Sequence, residues 1–546
     1  MDDKAARIIQ IANEEKNKAI NFLNLYQQFA DLGYPVENQI TTKKTYGEDK
    51  SLDIRDPTAI FALEKATSGF IGAWIPRERY FFGVKVKDHK INELDEVKRY
   101  CALAVQIAHD ELFESNYITN LQNTVKSCIG FGTGNNYSEW DNKTLGLNFK
   151  DWHVSYYTFK QNSKDIVDTM ILEYELSARQ MVDQFDNVGD SVLKAAENLE
   201  TESRKFSVIH IVRPRLKRTY SLTDKFNMPF ESVFVNKSSK EILQEGGFEE
   251  FPFAVPRWEK ASCEKWGRGR GLAMLSAIKE LQQMRKDYME ASNRHNHPPY
   301  EVVSMNVEGE VNMKPDGRND VTERGSINPL NPALNGNIPV TVEAIKDQRE
   351  LIKQGFYNDI FSQFGSLTGD RRTTTEIDLR YKEGLRQLIS PVSRFESECF
   401  TPQLSRVIRL LIRNGRIPAP PDILKGKEFT VEYMGELSMA MKDMQSKGFE
   451  RGVNLIGMLS NTFPEVRDEI NIGRTIPDVL INYGMKVEHL NTPDEKQAAQ
   501  QQRQAQQQAM MAMEAAKTAS EAYNKGTKAP EKDSASDKLM QSVGVK

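Results

Sequence analysis

An α+β fold is predicted by two patterns that coexist along this 546-residue chain. Apolar residues recur at helical spacing in long blocks such as 5–32 and 93–113, while short strand-like runs occur at 206–212 and 230–235. A third observation is the order of helix, small β excursion and returning helix between 271 and 365, which predicts an antiparallel helical hairpin carrying a tip. Hydrophobic residues make up 39% of the chain, with 26 Phe and 18 Tyr. That is enough to build real cores and excludes a globally disordered chain.

The helical block 5–32 is followed by a polar, Lys-rich loop. A second apolar segment, 60–74, is interrupted by Gly69 and Gly72 and stops at Pro76. A long helix is predicted over 93–113, and IGFGTGNNY at 129–137 reads as a loop. From 152 to 174 the pattern shortens towards strands, and Ser177-Ala178-Arg179-Gln180 then has the form of a capping box. Residues 1–255 therefore read as one mixed α+β domain. The helix over 271–296 is stopped by Pro298 and Pro299, and the Gly-, Pro- and Asn-rich stretch after it holds strand-like pieces such as 300–305. Thr341 is read as the N-cap of a second helix running to about 364, closed by the 365–369 turn. A further helical stretch covers 374–413, and Pro391 and Pro402 should each kink or divide it, because each removes a backbone donor and crowds the preceding turn. Asn414-Gly415 and Pro418, Pro420 and Pro421 mark a boundary, after which 427–489 reads as a small helical domain. Thr492-Pro493-Asp494-Glu495 supplies an N-cap, an N1 proline and an N3 acid for a helix through the Gln/Ala/Met tract, and the polar tail beyond it reads as loose.

Lys and Arg number 73 against 77 Asp and Glu, a net charge of −4. Gripping nucleic acid through many phosphates needs a clear excess of cations, so that class is excluded, whereas touching DNA without gripping it is allowed. Cys101, Cys128, Cys263 and Cys399 are scattered and form no Cys-x-x-Cys pair, which argues against a disulfide framework and a structural zinc. The charged amino terminus lacks the apolar core of a secretory signal, and no long apolar run is free of charge, so a soluble, cytosol-made protein with no membrane partner is expected.

No catalytic residue, metal site or cofactor is predicted: Gly-x-Ser-x-Gly and Gly-x-x-x-x-Gly-Lys-Ser/Thr are both missing from the sequence. The segment 267–271, Gly-Arg-Gly-Arg-Gly ahead of a helix, has two readings: a phosphate cradle in a nucleotide-binding enzyme, or a flexible elbow that lets the helix leave a sheet. The elbow is the simpler one, because no strand pattern precedes it. His295 and His297 read as solvent-exposed helix-end residues, and Arg213, Arg215, Lys217 and Arg218 as a solvated strand end. Projected at helical periodicity, the first hairpin helix puts Met274, Ile278, Leu281, Met284 and Tyr288 on one face and Lys279, Gln283, Lys286 and Glu290 on the opposite one. The second has an apolar stripe of Ile345, Ile352, Phe356 and Ile360, with Glu343, Asp347 and Glu350 clustered on a polar flank.

SNYITNL at 115–121, FGTG at 131–134, YELSARQMVDQF at 174–185 and EFPFAVPRW at 250–258 appear in that order. WGRGRGLAMLSAIKELQQM, HPPYEV, TTTEIDLR at 373–380 and ESECFTPQLSRVIRLLIRNGRIPAPP follow. Together these segments, over roughly residues 5 to 424, resemble the head-to-tail connector (portal) family of short-tailed bacteriophages. Trp266 stands where the family usually has Tyr, a change compatible with aromatic packing.

The resemblance implies a non-enzymatic ring, commonly of twelve copies, at the portal vertex of the virion after assembly in the host cytoplasm. It implies a portal-type subunit in which 1–255 is a mixed α/β wing and 256–296 the elbow and first stem helix. By the same resemblance 297–340 is the clip, 341–365 the second stem helix, 366–376 the tunnel loop and 377–424 a long wing helix. A helical crown over 425–490 and a barrel helix with a polar tail over 491–546 complete the subunit. The partners implied are double-stranded DNA in the channel, a terminase that supplies the energy, scaffolding, tail adaptor and internal ejection proteins, and the major capsid protein. Channel-facing candidates are Lys279, Lys286, Glu290, Glu343, Asp347 and Glu350, and tunnel-loop candidates are Asp370, Arg371 and Arg372. Twelve helices spaced by about 8–10 Å enclose a bore of about 20–28 Å once one helix thickness is subtracted, just enough for a duplex of about 20 Å. A scaffold that forms no ring is the competing structural reading.

Overall fold

Residues 2–42, 45, 47, 53–76, 80–92, 94–219, 224–297, 299–313, 318–329, 338–362, 388–424, 426–427, 429–434 and 493–525 are described by the computed structural model. The chain divides into two units, Met1–Met441 and Lys442–Lys546.

Helix α1 (Asp2–Gly33) serves two cores along its length. Ala5, Ile8 and Ala12 near its start pack with Ile171, Ile209, Ile211, Val233 and Val235. Ala19, Leu23, Tyr26, Phe29 and Ala30 belong to the main core. That core also takes in α2 (Thr58–Trp74), α3 (Asp95–Glu114) and α4 (Tyr117–Gly130). Between α2 and α3 lies strand β1 (Phe82–Val86).

Next come β2 (Asn136–Asp141), β3 (Gly146–Asp151), β4 (Tyr157–Gln161) and β5 (Val167–Ser177). Helices α5 (Ala178–Gln184) and α6 (Asp190–Glu197) follow, and then β6 (Lys205–Pro214), β7 (Phe230–Asn236), β8 (Glu241–Phe248) and β9 (Phe253–Ala254). Strands β4-β5-β6-β7-β8 form an antiparallel sheet in sequence order, and β3-β2-β9 a smaller one. Alternation along β6 explains how the larger sheet is covered on both faces: Phe206 and Val208 point to the α5–α6 cluster, Ile209 and Ile211 to α1. The capping box at Ser177 is formed, with Ser177 Oγ accepting from the Gln180 amide at 3.3 Å and the Ser177 amide donating to Gln180 Oε1 at 3.0 Å.

The helical hairpin is α7 (Leu275–Asn296) and α8 (Ile338–Gly355). Helix α8 starts before Thr341, so Thr341 lies inside it and is not its N-cap; Pro339 sits in the first turn, where the missing N–H has no helical acceptor to serve. Nor does the helix continue to 364. It breaks at Phe356 and Tyr357, with Tyr357 at φ 61°, and resumes as α9 (Asn358–Ser362). The break falls where Met274 Sδ lies 2.2 Å from the position a Gly355 Cβ would take and Arg270 Nε donates to the Gly355 carbonyl at 2.8 Å. Between α7 and α8 stand the short pairs β10 (Tyr300–Val302) with β13 (Ile327–Pro329) and β11 (Val307–Glu308) with β12 (Asp320–Val321).

Of the predicted helix 374–413, residues 374–387 lie outside the described residues. The remainder is α10 (Ile389–Phe395), a π-turn at Glu396–Phe400 and α11 (Thr401–Arg413). Pro391 lies in the first turn of α10, with 374–387 ahead of it outside the described residues, and Pro402 interrupts the stretch at the π-turn. Gly415 at φ 74° turns the chain out of α11, as the Asn-Gly pair predicts. Strand β14 (Phe429–Tyr433) then returns to pair with β1, so the stretch read as a small helical domain from 427 opens as a strand. Its remainder, 435–489, lies outside the described residues, and α12 (Pro493–Lys525) begins at the predicted proline.

Candidate functional site

The root of α7 is built from two glycine segments pressed backbone to backbone. A Cβ on Gly267 would lie 2.0 Å from the Gly132 carbonyl oxygen, and one on Gly269 would lie 2.5 Å from that of Ile129. The amides in this turn are already engaged: Gly267 N donates to Thr133 Oγ1 at 2.9 Å, Arg268 N to the Glu259 carbonyl at 2.7 Å and Gly269 N to the Phe131 carbonyl at 3.1 Å. A phosphate cradle needs those donors free and open space before them, and neither condition holds. Trp266 is buried among Phe22, Tyr26, Tyr157 and Phe159, with Tyr26 Oη donating to the Gly267 carbonyl at 2.7 Å. The segment 267–271 is a packed joint.

A second node fixes the helix pair. Asp56 is 1% exposed and accepts from Arg349 of α8 through Nε (2.9 Å) and Nη2 (2.7 Å), while Arg285 of α7 stands 3.7 Å away. Gln282 of α7 takes the Arg55 and Asp56 amides on Oε1, at 2.7 and 2.9 Å, and returns a bond to the Asp56 carbonyl at 2.8 Å. Across the hairpin, Gln348 Nε2 donates to the Ala277 carbonyl and to Glu280 Oε2, both at 3.1 Å. Burial by itself disfavours the Asp56 carboxylate, but hydrogen bonds from Thr58 and Arg349 outweigh it and hold the group below its ordinary value.

A lowered folded-state pKa contributes stability above the unfolded value of about 4 and loses it as pH falls through the folded value. Asp56→Asn is therefore expected to destabilise the protein by about 2 kcal/mol at pH 7, and the gap to the unaltered chain should close below about pH 4. Urea melts of both proteins between pH 3 and 7 check this; a gap that does not narrow on acidification contradicts it. Sequence reasoning missed this node. Its one local signal was Asp56-Pro57-Thr58 ahead of an apolar run, a helix-start pattern in which the Thr58 amide donates to Asp56 Oδ1 at 3.0 Å.

On the outer faces of the pair, Lys279, Lys286 and Glu290 of α7 are exposed, as are Glu343, Asp347 and Glu350 of α8. Glu343, Asp347 and Glu350 lie at helical spacing on the side opposite buried Ile345 and Ile352. Lys279 Nζ donates to Gln28 Oε1 at 2.8 Å, and Glu350 pairs with Lys353 at 2.6 Å. Both faces are thus charged, of mixed sign and solvated. Asp370, Arg371 and Arg372 lie outside the described residues. His295 and His297 are exposed at the end of α7. Arg213 pairs with Glu231, and Arg215 bonds the Met228 and Gly246 carbonyls, so this pair of arginines braces the sheet. Among the described residues no group of three or more His, Cys, Asp or Glu is placed to hold a metal, and no helix is long and apolar enough to cross a membrane.

The family model described as bacteriophage head to tail connecting protein matches residues 5–490. The chain belongs to this family. Among curated connector relatives, the portal protein of Salmonella phage epsilon15 is 25% identical over 482 residues, 86% of each chain. The probable portal protein of Bordetella phage BPP-1 is 24% identical over 472 residues, covering 83% of this chain and 85% of the relative. The family match thus contains both glycine segments, the Asp56 node and the helical hairpin, and it stops just ahead of α12.

Proposed function

We propose that this connector is a portal: copies close into a ring at one capsid vertex, and double-stranded DNA enters and leaves through the hole. The observation that carries this reading is the tip of the hairpin. Among the described residues of 299–329 the one buried side chain is Ser326, whereas Tyr300, Val303, Met305, Met313 and Val321 are exposed. Two-stranded pairs with no core of their own are at best marginally stable in water, so this module needs cover from neighbouring copies. The α7–α8 pair is the stem, the residues between the two helices the clip, 366–376 the tunnel loop and 1–255 together with β14 the wing, with the stretch from there to 490 as crown and α12 as barrel helix.

In such a ring Lys279, Lys286, Glu290, Glu343, Asp347 and Glu350 face the channel. Mixed charge suits a conduit, because a wall that displaced many counterions would bind the duplex and stall it. The reading includes twelve subunits, assembly in the host cytoplasm, a separate terminase ATPase as the source of work, and docking surfaces for scaffolding, tail and capsid proteins. Native mass spectrometry of the purified 62.3 kDa chain is expected to give a species near about 750 kDa, twelve copies, with a central hole in negative-stain images. Monomer or dimer throughout the micromolar range overturns the reading.

A further inference from the structure

The π-turn Glu396–Phe400 has a chemical cause. Pro402 has no N–H, so the Glu398 carbonyl loses its α-helical donor, and the Thr401 amide reaches back five residues to the Glu396 carbonyl. The side chain of Glu398 takes three bonds from one residue: the Arg257 amide at 2.9 Å, its Nε at 3.0 Å and its Nη2 at 2.6 Å. Arg257, 2% exposed, sends its other donors to Gln161 Oε1 at 2.7 Å and the Asp165 carbonyl at 2.9 Å.

Arg257 is also part of the glycine joint. It forms an isolated bridge with Thr133, its Cβ lies 3.2 Å from where a Gly267 Cβ would stand, and the next amide, Trp258 N, donates to the Gly132 carbonyl at 2.9 Å. Downstream of the turn, α11 is anchored to β2: Gln403 Nε2 donates to Asn136 Oδ1 at 2.6 Å and Arg406 Nε to the Ser138 carbonyl at 3.2 Å. Upstream, α10 is held through rings, with Phe395 stacked on Trp74 at 4.7 Å. A π-turn carries one residue more than an α-turn, and passing that residue along the helix rotates one side against the other by about 100° and shifts it by about 1.5 Å.

We propose that the π-turn 396–400 is a register joint between α10 and α11, and that the Glu398–Arg257 pair passes a shift of α10 to the glycine joint at the root of α7. One carboxylate thereby sets whether the elbow under the hairpin is held or free. The proposal rests on these contacts and stands apart from ring formation.

Hydrogen exchange by mass spectrometry on the full-length protein tests it with two variants. In Glu398→Gln, amides of 389–395 and 267–275 are expected to exchange at least tenfold faster together, while β6, β7 and β8 keep their protection. Pro402→Ala restores the missing donor and leaves both charges in place, and it is expected to loosen 267–275 in the same way. Faster exchange confined to 396–402 in both variants, or spread evenly through the sheet in both, overturns the proposal.

Discussion

Replacing Glu343, Asp347 and Glu350 together by lysine is expected to convert a conduit into a trap for DNA. In a ring of twelve the change adds about thirty-six lysines to one band of the wall, and each phosphate they neutralise releases counterions. If six to ten phosphates are engaged, affinity for duplex should fall by roughly 1,000-fold or more between about 50 and 200 mM salt, while the unaltered chain stays weak at both. Filter binding of linear duplex across that salt range measures it. Equal, weak retention by both proteins at low salt would show that these residues do not face DNA, and with them the channel assignment of α8 fails. The three side chains point away from the subunit's own core, so failure to fold is not the expected cause of any effect.

The largest stability effect is expected at Gly132. Its φ of +113° is one that L side chains rarely adopt, and a Cβ there would stand 2.4 Å from Gly269 N and 2.5 Å from Arg268 N, both backbone atoms that cannot swing aside. Gly132→Ala should cost more than about 4 kcal/mol, the range reserved for a few severe mechanisms, and lower Tm by on the order of 10 °C. Gly72→Ala is the matched control. Nothing lies within 4 Å of its added methyl in the last turn of α2, so a gain of up to about 0.5–1 kcal/mol is expected there. Thermal melts of the two variants side by side test the packed-joint description; a Gly132→Ala protein as stable as the parent contradicts it.

The contrast between these two glycines shows where sequence reading stops. Gly69 and Gly72 look alike as interruptions of an apolar run, yet a Cβ on Gly69 would meet the Phe361 ring at 2.3 Å and one on Gly72 would meet nothing. The difference is made by a residue almost three hundred positions away, which no local rule sees. The same holds for the glycine-rich 267–271 segment. Its composition permits a phosphate cradle, and only the tertiary structure closes it: FGTG takes the Gly267 and Gly269 amides, Glu259 takes that of Arg268, and the 129–132 backbone fills the space.

What the sequence by itself determined is the local chemistry: the Ser177 capping box, the interruption at Pro402, the Asn414-Gly415 exit, the start of α12 at Pro493, and the charged faces of the two hairpin helices. Each depends on residues within a few positions of one another, where backbone donors, φ restrictions and helical periodicity act directly. The family was legible too, because the order of its segments survives in the primary sequence. The tertiary structure alone decided the pairing of β1 with β14, the Asp56–Arg349 bond across 293 positions and the Arg257–Glu398 pair across 141. The reason is physical: a buried carboxylate needs a cation, but any of the chain's many Lys and Arg residues satisfies that need in composition. Which one does so is settled by the path of the backbone, once the cores have collapsed and brought particular side chains within hydrogen-bonding distance.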